Sequence, residues 1–353
     1  MPKIREDKVY GTDLRYVRVS DDTAVLKRGV NELVVSGAQV HSILESLIQQ
    51  LDGSRTPEDI VDSFPEHLRG EVGNLLTTMQ LRRLITQEPG PDVDEASFES
   101  LQTAFWWNMG EEGRNAPQRL GNAHVVVAGV TLIARAMLRS LLESGIGRIT
   151  LVDDTNLNNE VAPVGFQPGE DRLRRVPELS SDGELSECSV ICATSDFDQG
   201  DALLEFSRTA LRIEKPFLPV WQADLLGYVG PLNHPYENAC LRCYFLRRES
   251  NNPNYAAGRA LRRHASANPG SMVSAGLLPP MASALGEIAA IEVVKFIAGY
   301  PPPDTAGRSI ELNLFSFSST VRRILKIPRC PDCGEIMRKA SRALIVGSLI
   351  PHE

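Results

Sequence analysis

The stretch from His124 to Asp154 constrains the fold most, because strand, turn, helix and strand signals follow one another there at the spacing of a βαβ unit. A run of three valines begins the stretch, Gly129 ends that run, and apolar residues then recur at helical spacing. A second apolar strand ends in Asp153 and Asp154. This order predicts the first unit of a doubly wound α/β domain, with the two carboxylates where such folds meet a ribose.

The turn after the first strand is poor in the glycines that a phosphate-binding turn needs. Such turns use glycines so that backbone N–H groups can approach the anion without Cβ atoms between them. Here only Gly129 stands in the turn, and the residues after it are Val130, Thr131, Leu132, Ile133 and Ala134. The sequence therefore predicts the fold strongly and supports a phosphate site only weakly.

The same stretch resembles the ThiF type of the ubiquitin-activating-enzyme superfamily of adenylyltransferases, in which the strand is followed by G-x-G-G-L-G and the next strand reads L-V-D. Gly129 matches the first glycine, and Asp153 matches the aspartate. The other glycine positions carry, in order, Thr131, Leu132 and Ala134. The resemblance implies an α/β domain of Rossmann-like, ThiF type with a mainly parallel sheet and an altered ATP-contacting turn.

Three more positions depart from the family pattern after the second strand. The family places an arginine in an S-N-L-x-R-Q segment, and the corresponding TNLNNEVAPVGFQ of residues 155–167 has none. Between Gly169 and Cys188 there is no lysine where the family has one that contacts the nucleotide, and Ser195 replaces the magnesium-binding aspartate. The residues left at this degenerate nucleotide site are Gly129, Asp153, Asp154 and Asp196. Because each lost anion-holding group costs several kcal/mol, we expect no ATP chemistry there.

Four of the six cysteines form two C-x-x-C pairs, Cys240 with Cys243 and Cys330 with Cys333. This spacing is used for tetrahedral coordination of zinc, because two sulfurs of one turn can reach one ion. A redox dithiol and chance spacing are the alternatives. More than eighty residues separate the pairs, which suits a metal that ties two distant loops together. ThiF-type proteins hold a structural zinc with the same two pairs, so the resemblance implies Zn²⁺ here.

The charge balance and the apolar runs limit the classes of partner. The 353 residues carry a net charge of −8, the pI is near 5.4, and no block of lysine and arginine stands out. This composition argues against nucleic acid as the main partner. No apolar run reaches membrane-spanning length, and MPKIRE lacks the apolar core of a signal peptide. We therefore expect a soluble cytoplasmic protein without a membrane partner.

Residues 1–88 predict a small α+β domain of three short strands followed by three helices. Thr56 and Pro57 mark the start of the second helix, as its cap and its first position. The order suits a winged helix, for which DNA binding is the common function, yet the charge of this segment is mixed. With LDGSRTPEDIVDSF joining the first two helices, the order resembles the PqqD-like domains that recognise leader peptides in ribosomal peptide natural-product pathways.

The PqqD-like resemblance implies where a leader peptide binds. In that family the leader adds as an extra strand beside the third strand and packs on the third helix, a β-augmentation mode. On this chain the groove lies between Glu32–Ser36 and Arg69–Arg83. The predicted contact residues are Glu32, Leu33, Val34, Val35, Ser36, Arg69, Leu76, Met79 and Arg83.

The remaining segments complete the domain prediction. Residues 89–120 are a linker and a helix whose aromatic side chains staple the domains together, with peptide contact as the alternative, and residues 121–353 form the ThiF-like domain. Lys215–Tyr228 is predicted as one strand. Leu277–Tyr300 is predicted as a long apolar helix whose solvated face carries Glu287, Glu292 and Lys295.

The two resemblances cover nearly the whole chain and together imply a function. A PqqD-like domain before a ThiF-like domain resembles the leader-peptide-binding partners of YcaO-type azoline-forming cyclodehydratases in thiazole/oxazole-modified peptide and thiopeptide pathways. The resemblance implies a homodimer, itself without catalysis, that binds a precursor leader and presents the core to a separate YcaO cyclodehydratase. The alternatives are an active enzyme that adenylates a peptide carboxylate and a transcriptional regulator that uses the winged helix.

Overall fold

The computed structural model describes residues 8–91, 94, 97–159, 171–177, 185, 187–235, 237–254, 256–258, 260, 261, 264 and 276–334. It divides into two compact units, Met1–Arg114 and Asn115–Glu353. Each unit has its own hydrophobic core, so each is described by itself. Among the described residues, no helix combines the length and apolarity needed to cross a membrane.

The first unit opens with a three-stranded antiparallel sheet that is followed by three helices. The strands lie in the order β1-β2-β3 and are Arg15–Ser20, Thr23–Arg28 and Asn31–Ser36. The helices α1, α2 and α3 are Val40–Ile48, Pro57–Asp62 and Glu66–Leu81. Helix α2 begins with the predicted cap, because the Thr56 hydroxyl accepts from the N–H of Asp59 while the Asp59 carboxylate accepts from the N–H of Thr56.

One face of this sheet packs on the helices and the other face is open. Ala24 and Leu26 of β2 are fully buried against Leu44, Leu47 and Leu76. A winged helix predicts a wing strand beginning at Leu84 and Ile85, and none forms among the described residues. The backbone at residue 86 instead makes an isolated bridge with residue 10. The α+β order of elements is as expected for this unit, and its PqqD-like identity stays a prediction.

An aromatic helix belongs to the same unit. Helix α4 is Phe98–Asn108, and the short α5 follows at Glu111–Arg114. Trp106 is buried, and the guanidinium of Arg28 lies 3.8 Å from the ring centroid of Trp107. Burial lowers the pKa of Arg28 to about 10. The aromatic segment that was predicted to staple the domains therefore contacts the three-stranded sheet.

The second unit is built on an eight-stranded mixed sheet. Its strands β4 to β11 are His124–Ala128, Arg148–Val152, Leu173–Val176, Val190–Ser195, Phe217–Ala223, Leu226–Val229, Arg308–Asn313 and Ser319–Arg323. Its helices α6 to α10 are Ala116–Asn122, Leu132–Glu143, Gly200–Arg212, Leu241–Ser250 and Pro279–Ala298. The strand order is β11-β10-β9-β8-β7-β4-β5-β6. The five strands from β8 to β6 are parallel, and β9, β10 and β11 are antiparallel.

This sheet confirms the predicted mainly parallel α/β fold and the βαβ unit that begins it. β4 is buried along its whole length, lies between β5 and β7, and is followed by α7. The chain therefore leaves β4 toward one side of the sheet and later returns on the other side, at β7. In open α/β sheets such a switch point, at the carboxyl ends of the strands, is where ligands bind.

Two local predictions in this unit are wrong. Lys215–Tyr228 is not one strand, because Asp224 adopts a positive φ of 53° and turns the chain between β8 and β9. Glu292 of α10 is not solvated, since it is only 2% exposed. Its carboxylate accepts from the N–H and the hydroxyl of Thr305, each at 2.7 Å, and pairs with Lys295 at 2.7 Å.

Candidate functional site

The turn between β4 and α7 keeps a single glycine for a clear steric reason. Gly129 has a φ of +94°, and a Cβ there would lie 2.6 Å from the carbonyl oxygen of Thr194. Its N–H donates to the carbonyl of Val152 at 3.0 Å, which ties the turn to the end of β5. Gly129 is therefore required by the packing of the turn against β7, whether or not a ligand binds.

Threonine at position 131 closes the turn with its own side chain. Thr131 is the N-cap of α7, and its hydroxyl accepts from the N–H of Ala134 at 2.9 Å. The same oxygen lies 2.7 Å from the hydroxyl of Thr194, and both residues are fully buried. A polar side chain thus fills space that a glycine would have left open at the start of the helix.

The carboxylate of Asp196 occupies the amino terminus of α7. Its two oxygens accept from the N–H groups of Leu132 at 2.7 Å and Ile133 at 3.1 Å. Asn159 donates its side-chain N–H to the same carboxylate at 2.8 Å, and Asp196 is 2% exposed. Burial raises the pKa of Asp196 above its usual value, although these hydrogen bonds act in the opposite direction. The helix terminus where an external anion would bind therefore already holds an internal one.

The two carboxylates at the end of β5 are also engaged within the chain. Arg175 of β6 donates from Nε and Nη2 to one oxygen of Asp153, at 3.1 and 2.5 Å. The side-chain N–H of Asn158 donates to the other oxygen at 2.5 Å. Asp154 accepts from the N–H of Asn156 at 2.9 Å and so forms a local turn. Asp153 is therefore held on both oxygens, whereas Asp154 has a single local hydrogen bond.

The structure brings all four predicted residues of the degenerate nucleotide site to the carboxyl ends of β4, β5 and β7. Sequence reasoning missed the side chains that bond to Asp153 and Asp196, which are Asn158, Asn159 and Arg175. Asn158 also accepts from the N–H of Val130 at 2.7 Å, so the asparagine pair holds the turn from the far side. Polar residues directly after a strand that ends in acidic residues were the available signal. Within the described residues, this crevice is closed by its own hydrogen bonds.

The two predicted cysteine pairs meet in one cluster. All four Sγ atoms lie within 4.8 Å of one another and all four residues are buried. Neighbouring sulfurs are separated by 3.6 to 3.8 Å. A tetrahedron with Zn–S bonds of about 2.3 Å has sulfurs about 3.8 Å apart. The cluster therefore has the donor set and the spacing of a four-coordinate site for a metal ion such as zinc.

Charged and polar groups fix the loops that carry these cysteines. The N–H of Ile327 donates to Sγ of Cys243 at 3.4 Å. Asp332, between the second pair, lies 3.4 Å from both Arg208 of α8 and Arg242 of α9. Because the four sulfurs are already close, a metal would need little rearrangement.

The predicted peptide groove borders a free strand edge. Among the described residues, β3 pairs with β2 alone, so its other edge carries no strand. Glu32, Val34 and Ser36 are exposed, whereas Leu33 and Val35 pack on the core. Nη1 of Arg82, just after α3, donates to the carbonyl of Glu32 at 3.3 Å. That bond shows that backbone groups of β3 point away from β2.

The residues predicted for the helix side of this groove are buried or bonded within the first unit. Leu76 and Met79 are fully buried, so they support the groove from inside the core and do not line it. Arg69 donates to the carbonyl of Phe64 at 3.0 Å and pairs with Asp62. Arg83 follows α3 with a φ of +56° and donates to the carbonyl of Met109 at 2.6 Å. The strand side of the predicted groove is accessible, and these four helix positions have structural contacts.

Comparison with known proteins places the fold. No protein-family model matches the chain. The sulfur carrier protein ThiS adenylyltransferase of Escherichia coli K12 is 23% identical over 243 residues, which are 62% of this chain and 88% of that protein. The crystal structure of E. coli MccB with ATP superposes with a TM-score of 0.67 at 16% identity, over 93% of this chain and 100% of that chain.

A longer solved structure has the same fold over part of its length. The heterocyclase TruD matches 98% of this chain with a TM-score of 0.59 and 16% identity, yet only 45% of TruD is covered. A heterocyclase in complex with substrate and cofactor matches with a TM-score of 0.57 at 17% identity, over 93% of this chain and 40% of that one. The chain therefore has the mixed α/β fold of MccB, and its sequence is similar to that of the ThiS adenylyltransferase.

Proposed function

We propose that this protein binds the leader of a ribosomally made precursor peptide and presents the core of that peptide to a separate YcaO cyclodehydratase. Two observations support the proposal. The crevice at the carboxyl ends of β4, β5 and β7 is occupied by the chain's own side chains, and the outer edge of β3 is open. Asp196 occupies the helix terminus that an adenylating enzyme needs for ATP, while the backbone of β3 is free to accept a peptide strand. The protein then acts in thiazole/oxazole-modified peptide or thiopeptide biosynthesis.

The similar proteins support a peptide partner. MccB has been solved together with MccA, and TruD is a heterocyclase. This chain spans less than half of TruD. The proposed scheme assigns cyclisation to a separate YcaO protein. In this scheme the first unit is a PqqD-like recognition domain, and the second is its ThiF-like support, assembled as a cytoplasmic homodimer.

The chemistry of the crevice supports a role without catalysis. ATP would have to displace a carboxylate that accepts three hydrogen bonds, and the N–H groups of Leu132 and Ile133 would have to exchange one anion for another. Asp153 would in addition have to leave Arg175. Each loss of a charge-assisted hydrogen bond in a buried site costs about 1.5–3 kcal/mol. The residues present therefore do not fit ATP, and the proposed function routes no step through it.

We infer that the cysteine cluster holds a structural Zn²⁺. Four sulfur ligands leave no open coordination position, and catalytic zinc sites keep one for water or substrate. The four cysteines are buried, and they join residues that are 90 positions apart. A bound zinc would hold the end of β11 and the following loop against α9, without taking part in a reaction.

Binding of a leader peptide to the full-length chain tests the proposal. The probes are synthetic leaders encoded by short open reading frames beside the gene, labelled for fluorescence anisotropy. We expect at least one of them to bind with micromolar affinity or better. Val34→Pro removes an edge N–H that faces away from β2, so it should weaken binding at least about tenfold and leave the fold intact. Val34→Ile keeps both the N–H and a β-branched apolar side chain, and serves as the matched control.

Two further measurements separate the competing functions. We expect ATP–pyrophosphate exchange by the isolated chain to stay at the level of a protein-free blank. Exchange above that blank would favour an adenylating enzyme that acts on a peptide carboxylate. Salt-dependent binding to duplex DNA would favour a transcriptional regulator. No affinity for any neighbouring leader would contradict the proposed function.

A further inference from the structure

The open face of the first unit's sheet carries a row of three valines. Val17 of β1 lies opposite Val25 of β2, and Val25 lies opposite Val34 of β3. Val17 is 55% exposed and Val34 is 58% exposed, so the row faces solvent at both ends. Because directly opposite side chains on one face of a sheet are neighbours, these three valines form one row. Here the row ends at the free edge of β3.

The rows on either side of the valines are polar on β2 and β3, whereas β1 carries a further exposed valine, Val19. Arg15, Lys27 and Glu32 lie opposite one another on one side. On the other side the hydroxyls of Thr23 and Ser36 are 3.2 Å apart. Toward the free edge of β3 the apolar strip is therefore one residue wide. A single added strand contributes one side chain to each row and fits this width.

On β3, the residues whose backbone groups face away from β2 are the same residues whose side chains lie on the open face of the sheet. The carbonyl of Glu32 points away from β2, because it accepts from Arg82. Outward-facing backbone groups alternate along an antiparallel strand, so those of Val34 and Ser36 face the same way. An added strand thus forms its hydrogen bonds at Val34, and its residue opposite Val34 points to the open face. Arg82 must release the Glu32 carbonyl as that strand arrives.

We propose that Val34 selects the leader by requiring an apolar side chain, preferably β-branched or aromatic, at the leader residue in register with it. This inference rests on the proposed function and names a recognition element on the open face of the sheet. The leader residue would extend Val17, Val25 and Val34 into a row of four. A charged leader residue at that position would lie beside Val34 and would not make the apolar cross-strand contact. The leader strand runs antiparallel to β3, like the other two pairs in the sheet.

A display selection on the full-length chain tests this requirement. The probe is a random library of twelve-residue peptides, selected in parallel against the wild type, Val34→Lys and Val19→Lys. Val19 is the matched control, because it is 61% exposed on the opposite edge strand and has no partner in register. We expect the wild type and Val19→Lys to enrich one apolar position. Val34→Lys should enrich an acidic residue there and leave the rest of the consensus unchanged.

Other outcomes overturn the inference in distinguishable ways. An unchanged consensus with Val34→Lys would show that peptides bind without reading this residue, and the proposed leader binding would stand. A change of molar mass in light scattering for Val34→Lys, with an unchanged consensus, would assign the row to contact between two copies. Enrichment by none of the three proteins would refute leader binding together with the inference. Should Val34→Lys not fold, Val34→Thr must show at least about a threefold weaker apolar enrichment.

Discussion

Asp196 shows how a shift of one position along a strand end changes the chemistry of a site. Ser195, which stands where the family pattern has its aspartate, turns its hydroxyl to the carbonyl of Phe197 and the side chain of Gln199. Asp196 then points back to α7 and caps it. The pattern alone left open whether Asp196 compensates for Ser195 in holding magnesium. Its distance to the N–H groups of α7 could not be inferred from the sequence, because it depends on how β7 lies beside β4.

We expect removal of this internal anion to create an external anion site. Asp196→Ala leaves the N–H groups of Leu132 and Ile133 unpaired in a buried position, so it should lower the free energy of unfolding by about 1–3 kcal/mol. Inorganic phosphate should then bind the bare helix terminus and raise the melting temperature of the variant, but not of the wild type. A thermal melt with and without phosphate measures both effects. If phosphate raised the melting temperature of the wild type equally, Asp196 would not be blocking an anion site at this helix terminus.

We expect His124 to make the second unit less stable in acid. Burial, with the nearby charge of Arg148, lowers the pKa of His124 from 6.5 to about 4, and its Nε2 lies 2.9 Å from the hydroxyl of Thr150. The unfolded chain takes up a proton below about pH 6.5 and the folded chain does so only near pH 4. Stability present above pH 6.5 is therefore lost between these values. We expect His124→Gln to flatten this loss, measured by urea unfolding at about pH 7.5 and about pH 5. A parallel pH dependence in both proteins would exclude His124 as its cause.

Secondary structure was predictable where the residues that determine an element all lie within one short stretch of the sequence. The α2 cap at Thr56 and the βαβ unit around Gly129 depend on residues within a few positions, and both form. The turn at Asp224 was missed, because no glycine or proline marks it and apolar residues continue on both sides. Glu292 was misplaced, since its partner Thr305 lies thirteen residues further on. Sequence patterns do not show a helix residue that is buried by a segment which folds back later.

Close packing between α7 and α10 gives a prediction for one glycine. A Cβ on Gly286 of α10 would lie 2.9 Å from Cβ of Ala136 and 2.9 Å from the backbone nitrogen of Met137. Gly286→Ala should therefore destabilise the second unit by about 1–3 kcal/mol through overpacking. Gly121→Ala in α6 is the matched control, because a Cβ there meets nothing within 4 Å. Urea unfolding of both variants measures the difference. Equal free energies of unfolding for the two variants would show that α7 and α10 can move apart without loss of stability.

At the scale of the whole molecule, the architecture was easier to predict than the exposure of individual side chains. The ThiF-like fold followed from β4, α7 and β5 and from the two cysteine pairs. The predicted groove was implied by the PqqD-like resemblance, and two of its residues, Leu76 and Met79, are buried in the core. Helical spacing identifies which residues share a face. It does not tell whether that face is covered by the domain's own sheet or left open for a peptide.

The cysteine cluster should decide how the second unit unfolds, because a metal there closes a loop of 90 residues. We expect one zinc per chain by elemental analysis of the purified protein. A strong chelator, or Cys330→Ser, should lower the melting temperature of the second unit by at least about 10 °C, since metal-binding free energy is folding free energy. Cys188→Ser is the matched control, as Cys188 is equally buried and lies outside the cluster. Calorimetry separates the two units, and the first unit contains no cluster cysteine, so its transition should stay unchanged. A chelator-resistant melt with no bound zinc would instead favour a dithiol role for Cys240 and its three neighbours.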